Sequence, residues 1–277
     1  MKIVITGADG LVGSALTRTL SAEHSIVSLN RRQLDLTDEQ AVKRTLESER
    51  PDLVINCAVV QVDVSELDPK LAEAVNVLGP RYLALSAPRI LHFSTNYVFE
   101  GEPPGRPPYT VSDEPHPINV YGRTKLQGEH AVIEANPRHF IVRTAWVYGV
   151  DKPSFLASVP VNLRAGRAVQ AITDSFSTTT YVKDLAAQIR ELILREEYGL
   201  YHVVNSGVSS YYEFAKETAR LLSLDEGEVD RLIVKVSEAE MKRPARRPRW
   251  TPLANTLEPM RDWKEALASY IRDDLGA

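Results

Sequence analysis

The chain predicts an α/β fold, a doubly wound parallel sheet that carries a smaller C-terminal lobe. Three features predict it. Short apolar runs alternate with helical segments through the first 150 residues, a glycine turn occupies the first strand–helix junction, and the rhythm loosens in the second half. Strand–helix alternation of this kind sets parallel strands side by side and covers both faces with helices.

The elements follow in order. Lys2–Thr6 is brief, rich in Ile and Val and flanked by turn residues, so it reads as a buried strand; residues 26–30, 53–57, 90–94 and 140–143 read the same way. Between them, residues 11–21, 39–48, 69–86 and 119–135 have helical composition. Residues 101–108 hold four prolines and must form a loop. Beyond residue 150, helices are expected at 182–195, 211–222 and 262–271, and strands near 200–204 and 232–236. Residues 1–150 are expected to form the sheet unit, completed by a later strand and helix. Residues 151–277 form mainly the lobe, seated over the carboxyl ends of the strands, where open α/β sheets bind ligands.

Composition narrows the function. Lys plus Arg number 33 against 37 Asp plus Glu, a net charge of −4 that is too mild and scattered for a nucleic-acid or membrane surface. A hydrophobic fraction of 43% excludes a largely disordered chain. No apolar run approaches the ~18–20 residues of a bilayer span, and residues 1–7 enter a strand without the apolar stretch of a secretory leader. The sole cysteine, Cys57, forbids an internal disulfide and a thiolate zinc site. The six histidines lack metal-ligand spacing, so no metal site is expected. A cytoplasmic protein is expected.

The glycine turn, Thr6-Gly7-Ala8-Asp9-Gly10-Leu11-Val12-Gly13, lies directly between the first strand and the first helix. Small residues let the backbone approach a pyrophosphate, and the helix N-terminus supplies unpaired N–H groups for the anion. Gly7 and Gly10 are therefore candidate cofactor contacts of a Rossmann-type site. The spacing is Gly-x-x-Gly-x-x-Gly, and no Gly-Lys-Ser/Thr follows, which excludes a P-loop. The second strand ends Asn30-Arg31-Arg32, where an NAD-specific protein usually carries a carboxylate for the ribose 2′-hydroxyl. Two arginines suit a 2′-phosphate, and NADPH is the expected cofactor, with NADH accepted as the alternative; an exposed basic turn is the bland reading.

Tyr121 and Lys125 lie four residues apart near the start of the 119–135 helix and share a face. A phenol with its usual pKa of ~10 is a poor acid near neutrality, and a neighbouring cation is expected to pull it down. Thr95, just past the 90–94 strand, is placed to bind the same carbonyl oxygen. The spacing alone is not selective, since Tyr148/Lys152 and Tyr212/Lys216 repeat it. Pro153 argues against a helix at the first of these, and Tyr212 reads as an aromatic packed in the lobe. Only Tyr121 follows a strand-end Ser94-Thr95 among the parallel units. The basic run from Lys242 to Arg249 reads either as a solvated loop or as arginines gripping a substrate phosphate.

Together these residues resemble the extended short-chain dehydrogenase/reductase superfamily, and within it the dTDP-4-dehydrorhamnose reductase family. The likeness runs nearly end to end. It is carried by the glycine turn, Leu34-Asp35-Leu36-Thr37-Asp38, Asn56-Cys57-Ala58, Ser94-Thr95-Asn96-Tyr97-Val98-Phe99, Asn119-Val120-Tyr121-Gly122-Arg123-Thr124-Lys125, Arg143-Thr144-Ala145-Trp146-Val147-Tyr148-Gly149, Tyr201-His202-Val203-Val204 and Arg246-Arg247-Pro248. The resemblance implies reduction of the 4-keto group of a nucleotide-linked 6-deoxyhexose, the last step toward dTDP-L-rhamnose. Tyr121 would protonate the alkoxide, Lys125 would bind the nicotinamide ribose, and Thr95 would hold the oxygen. Gly10, Leu11 and Val12 would meet the pyrophosphate, Asp35 and Leu36 the adenine, and Cys57, Ala58 and Val59 the cofactor channel. Asn96 and Trp146 match sugar-contacting positions, and Arg246 is the candidate phosphate grip.

Three departures fall on the substrate side. Asn96 stands where the family usually has Asp, residues 59–63 look one residue short, and residues 174–180 lack the usual Gln at the second position and Pro before the last Thr. Family members that bind magnesium at a dimer contact carry Glu where this chain has Ala15, so no such metal is implied. The expected partner is a nucleotide sugar, with no nucleic acid or membrane and with a homodimer left open. Two alternatives stand beside this reading: a ketoreductase for another nucleotide deoxysugar, and a non-catalytic NADP-binding subunit resembling the β subunit of methionine adenosyltransferase.

Overall fold

The computed structural model describes residues 1–276. The first half runs β1 (Lys2–Thr6), α1 (Leu11–Leu20), β2 (Ser25–Leu29), α2 (Glu39–Glu49), β3 (Leu53–Asn56), α3 (Val62–Leu67), α4 (Pro69–Glu73), α5 (Gly79–Ser86), β4 (Ile90–Thr95), α6 (Val120–Ala135) and β5 (His139–Thr144). The second half runs β6 (Val147–Tyr148), α7 (Phe155–Arg164), β7 (Val169–Ile172), β8 (Phe176–Ser177), β9 (Thr180–Tyr181), α8 (Val182–Leu192), β10 (Gly199–His202), β11 (Ser209–Ser210), α9 (Tyr211–Leu221), α10 (Glu226–Leu232), β12 (Ile233–Val236), β13 (Trp250–Thr251) and α11 (Trp263–Ser269).

Six parallel strands form the main sheet in the order β10-β5-β4-β3-β1-β2. The chain winds outward from β1 in both directions, so the switch point lies between β1 and β3, beside the glycine turn. β3, β4 and most of β5 are buried on both faces, as their near-continuous apolar composition requires. β10 pairs with β5, and α8 packs Leu185, Ile189 and Leu192 into the same core as Ile3, Ile5 and Leu16 of β1 and α1.

The expected 69–86 helix is present and continuous, with α4 and α5 joined through a wide π-helical turn at Ala74–Leu78. The wide turn holds Asn76 inward, where its carboxamide bonds the Val60 backbone and the Thr124 hydroxyl. Residues 62–67, to which the sequence assigned no element, form α3, which turns Asp63 toward the second lobe.

The lobe is built from small sheets, β11-β8-β13, β7-β12 and β6-β9. Its core gathers Tyr148, Leu156, Leu163, Phe214, Trp263 and Tyr270 from several elements.

Candidate active site

The glycine turn requires glycine at its first position. Gly7 has φ +66°, and a Cβ there would lie 2.6 Å from the Ala58 amide nitrogen, so the turn sits directly on the end of β3. The Gly10 amide closes the turn on the Gly7 carbonyl (3.0 Å). Gly10 then starts α1 with no side-chain cap, which leaves the first N–H groups of the helix available to an anion.

A cleft of ≈ 790 Å³ opens over this turn. Gly7, Gly10, Leu11, Val12, Asn30, Arg31, Asp35, Leu36, Cys57, Ala58, Val59 and Tyr121 all line it. It runs from Asn30 and Arg31 at the β2 end to Tyr121, and the uncapped helix and Arg31 suit the phosphates of a dinucleotide. Two expected cofactor residues are not on its wall. Arg32 is exposed, and its amide is turned back onto the Asn30 side chain (3.0 Å). Lys125 is buried behind the wall. The Asp35 carboxylate accepts the amide and hydroxyl of Thr37, and those bonds hold its pKa below the usual carboxylate value.

Tyr121 is set by the start of α6. Asn119 caps that helix by accepting the Gly122 amide (2.7 Å), and donates from its own amide to the Arg246 carbonyl (2.8 Å). A Cβ at Gly122 would lie 2.1 Å from the Tyr97 carbonyl, so only glycine lets α6 press this closely on the end of β4. Farther along, Glu129 pins the helix to β5 through a buried two-bond pair with Arg143 (2.6 and 2.9 Å), and it also accepts the Ser94 hydroxyl. The Tyr97 ring meets Tyr121 edge-on at 5.9 Å.

The electrostatics differ from the sequence expectation. Burial pushes the Tyr121 phenol up to about 12, with the Thr95 hydroxyl acting in the opposite direction. Lys125 does not pull the phenol down in this state; its ammonium donates to the Phe93 carbonyl (2.6 Å) and lies 3.2 Å from His92 Nε2. Burial lowers Lys125 itself to about 8, against the attraction of Glu129. Burial also raises the Cys57 thiol, which is an inert wall residue rather than a nucleophile.

His92 is buried, and each of its ring nitrogens faces a polar group. Asn56 Oδ1 accepts the Thr6 hydroxyl (2.8 Å) and the Ala58 amide (3.1 Å), so Asn56 Nδ2 donates to His92 Nδ1 (3.0 Å). Nδ1 is therefore an acceptor, and the neutral ring carries its proton on Nε2, facing Lys125. Burial and Lys125 hold the imidazole pKa well below its ordinary value. A polar chain thus runs from the glycine turn through Thr6, Asn56 and His92 to Lys125. Its signal in the sequence was a buried Asn and His inside otherwise apolar strands.

On the substrate side, Thr95 and Asn96 are buried at the carboxyl end of β4. Trp146 has φ +40° and stacks on Tyr211 at 3.9 Å; Tyr211 was not singled out by the sequence. Most of the basic run is paired within the protein: Arg247 with Asp63, Arg249 with Glu102 and Arg243 with Glu238. Arg246 is exposed and lines a separate cavity of ≈ 350 Å³. Tyr148 is buried on β6 and Tyr212 sits on α9 beneath Lys235 (4.9 Å), so neither alternative tyrosine–lysine pair joins the cleft through its phenol. Among the described residues no cluster of three metal-ligating side chains occurs, and Ala15 is buried in the core.

Comparison with known proteins follows the same geometry. Residues 1–275 match the family model described as the RmlD substrate binding domain. A dTDP-4-dehydrorhamnose reductase of Mycolicibacterium smegmatis is 38% identical over 100% of this chain and 86% of its own length. A probable dTDP-4,6-dihydroxy-2-methyloxan-3-one 4-ketoreductase of Streptomyces antibioticus is 36% identical over 100% and 97%. The crystal structure of a dTDP-4-dehydrorhamnose reductase from Bacillus anthracis in complex with NADP superimposes with a TM-score of 0.90, at 31% identity, over 98% of this chain and 99% of that one.

Proposed function

The chain belongs to the RmlD substrate binding domain family, and from that premise we propose that it is an NADPH-dependent oxidoreductase that reduces the 4-keto group of a nucleotide-linked 6-deoxyhexose, converting dTDP-4-dehydro-L-rhamnose to dTDP-L-rhamnose. The observation that carries this reading is the convergence of Tyr121 with the glycine turn on one cleft, with Thr95 beside the phenol, in a chain that matches dTDP-4-dehydrorhamnose reductases over its whole length.

When bound, NADPH supplies the hydride. Tyr121 gives its proton to the alkoxide; a phenol held at about 12 remains protonated throughout the physiological range and is available as the acid. Thr95 steadies the oxygen, and Lys125 holds the nicotinamide ribose. Arg31 and Asn30 face the adenosine end, while Leu36 closes the adenine side. Trp146 and Arg246 are assigned to the sugar nucleotide. Residues 1–150, with α8 and β10, form the cofactor unit, and the remaining residues form mainly the substrate lobe.

A ketoreductase for a different deoxysugar is the second reading, favoured by Asn96 and the 174–180 run on the substrate side and by the name of the Streptomyces relative. A non-catalytic role is disfavoured by the presence of the whole Thr95, Tyr121 and Lys125 set. No helix among the described residues is long and apolar enough to cross a membrane; cytoplasmic residence and a homodimer belong to the proposal. The test is NADPH oxidation, followed by absorbance, with dTDP-4-dehydro-L-rhamnose, other dTDP-4-keto sugars and NADH in parallel. Rapid consumption with the rhamnose precursor supports the first reading. Turnover confined to another sugar selects the second, and tight NADPH binding without turnover restores the non-catalytic one.

A further inference from the structure

Asn96 follows Thr95 at the end of β4 and is 2% exposed. Its amide nitrogen donates to Thr251 Oγ1 (2.7 Å) and to Ser177 Oγ (3.1 Å), and its carbonyl oxygen accepts the Thr95 hydroxyl (3.2 Å). Ser177 gives its own proton to the Thr251 carbonyl (3.1 Å), so toward Asn96 it can only accept, and this fixes which end of the carboxamide faces it. Both partners are buried in the β11-β8-β13 sheet of the second lobe. Thr95 has a single hydroxyl proton, which rests on Asn96 and can also turn to the Tyr121 phenol oxygen, while its own oxygen accepts the Tyr97 amide (3.1 Å).

We infer that Asn96 is a positioning residue for Thr95 rather than a sugar ligand: Ser177 and Thr251 of the second lobe set the orientation of the amide, and the amide sets where the Thr95 proton rests. Both N–H groups of the carboxamide are already engaged inside the protein, which leaves it no donor for a sugar hydroxyl. The acceptor it offers Thr95 is neutral. A charged carboxylate at this position would hold the proton roughly twice as strongly. From a neutral amide the proton can turn toward an oxygen gathering negative charge beside Tyr121. Seating of the second lobe is thereby felt at the hydroxyl that binds the reacting oxygen, so the arrangement acts on turnover rather than on affinity. This inference rests on the ketoreductase reading.

The test uses Ser177→Ala, Thr251→Val and Asn96→Ala in the full chain, with kcat and KM for both substrates and a melting curve for each. Ser177→Ala and Thr251→Val lower kcat about fivefold to tenfold, the rate equivalent of one neutral hydrogen bond, with both KM values within about twofold. Asn96→Ala combined with Ser177→Ala is no slower than Asn96→Ala alone, because both changes break one relay. Thr251→Val preserves side-chain shape and keeps the comparison open if an alanine variant melts early. Asn96→Ala that raises the KM for the sugar, with Ser177→Ala and Thr251→Val unchanged in kcat, overturns the inference alone. A wild type that consumes no NADPH with any 4-keto sugar overturns the ketoreductase reading and the inference with it.

Discussion

Asp63 of α3 and Arg247 of the second lobe form a two-bond ion pair, both oxygens accepting at 2.8 Å, and Asp63 also accepts the Ala245 amide (3.2 Å). The pair fastens the basic 242–249 run to the wall of the cofactor unit. The Arg247 guanidinium holds the Asp63 carboxyl below its usual pKa. A carboxylate with a lowered folded pKa stabilises above its unfolded value of ~3.9, and that contribution is lost as the pH falls through the folded pKa. Asp63→Asn should therefore lower stability by about 1 kcal/mol at neutral pH, allowing for the solvent exposure of the carboxylate. Melting temperatures of the two proteins should converge once the pH has fallen below the lowered pKa of the folded Asp63 carboxyl. A difference that persists there would mean that something other than the charge of Asp63 holds the loop.

Tyr121→Phe should remove the acid and little else, since the ring still packs edge-on against Tyr97. The expected loss in kcat is ~10²–10⁴-fold, with NADPH affinity retained. Stopped-flow turnover together with fluorescence titration of NADPH separates the two effects. A comparable loss of cofactor binding would place Tyr121 in the cofactor wall alone.

The main-sheet strands were legible to within one or two residues, because buried parallel strands are continuous apolar runs and need no periodicity. The lobe was far less legible. α7 carries Pro160 inside it, a residue that ordinarily ends a helix, and β8, β9, β11 and β13 are two residues each, too short to show a pattern. In the site, the glycine turn, Tyr121 and the cleft-lining residues could be read from motif and junction. The roles of His92, Ser177 and Thr251 could not, since each acts through a partner at least 33 residues away in the chain. The basic run stayed open to two readings for a related reason: sequence reveals the arginines but not that Asp63, Glu102 and Glu238 fold against them.

The pH profile should follow Lys125 rather than Tyr121. Lys125 loses its proton as the pH rises through about 8, whereas the phenol stays protonated to about 12. Because the cation is the form that can hold the ribose hydroxyls as a donor on every side, kcat/KM should fall above about pH 8. The groups facing the ammonium are the His92 ring, the Phe93 carbonyl, the Cys57 thiol and the Glu129 carboxylate. With its proton on Nε2, the His92 ring opposes the cation. His92→Gln can turn an amide oxygen toward Lys125 instead, and the alkaline limb should then move to higher pH. An unmoved limb in that variant would assign it to another group.

The two arginines at the end of β2 should separate. Arg31 lines the cleft beside Asn30, whereas Arg32 is exposed and off its wall. A charge-assisted bond to a 2′-phosphate contributes about 1.5–3 kcal/mol, so Arg31→Ala should raise the KM for NADPH by roughly 10- to 100-fold and leave that for NADH nearly unchanged. Arg32→Ala should shift either value by less than about threefold, as expected of a solvated charge that contributes only long-range attraction. Initial rates with both cofactors across the two variants decide the assignment. Equal effects of the two substitutions would mean that the turn closes around the cofactor and brings Arg32 onto the phosphate, and equal losses with NADH and NADPH would remove the 2′-phosphate from the explanation.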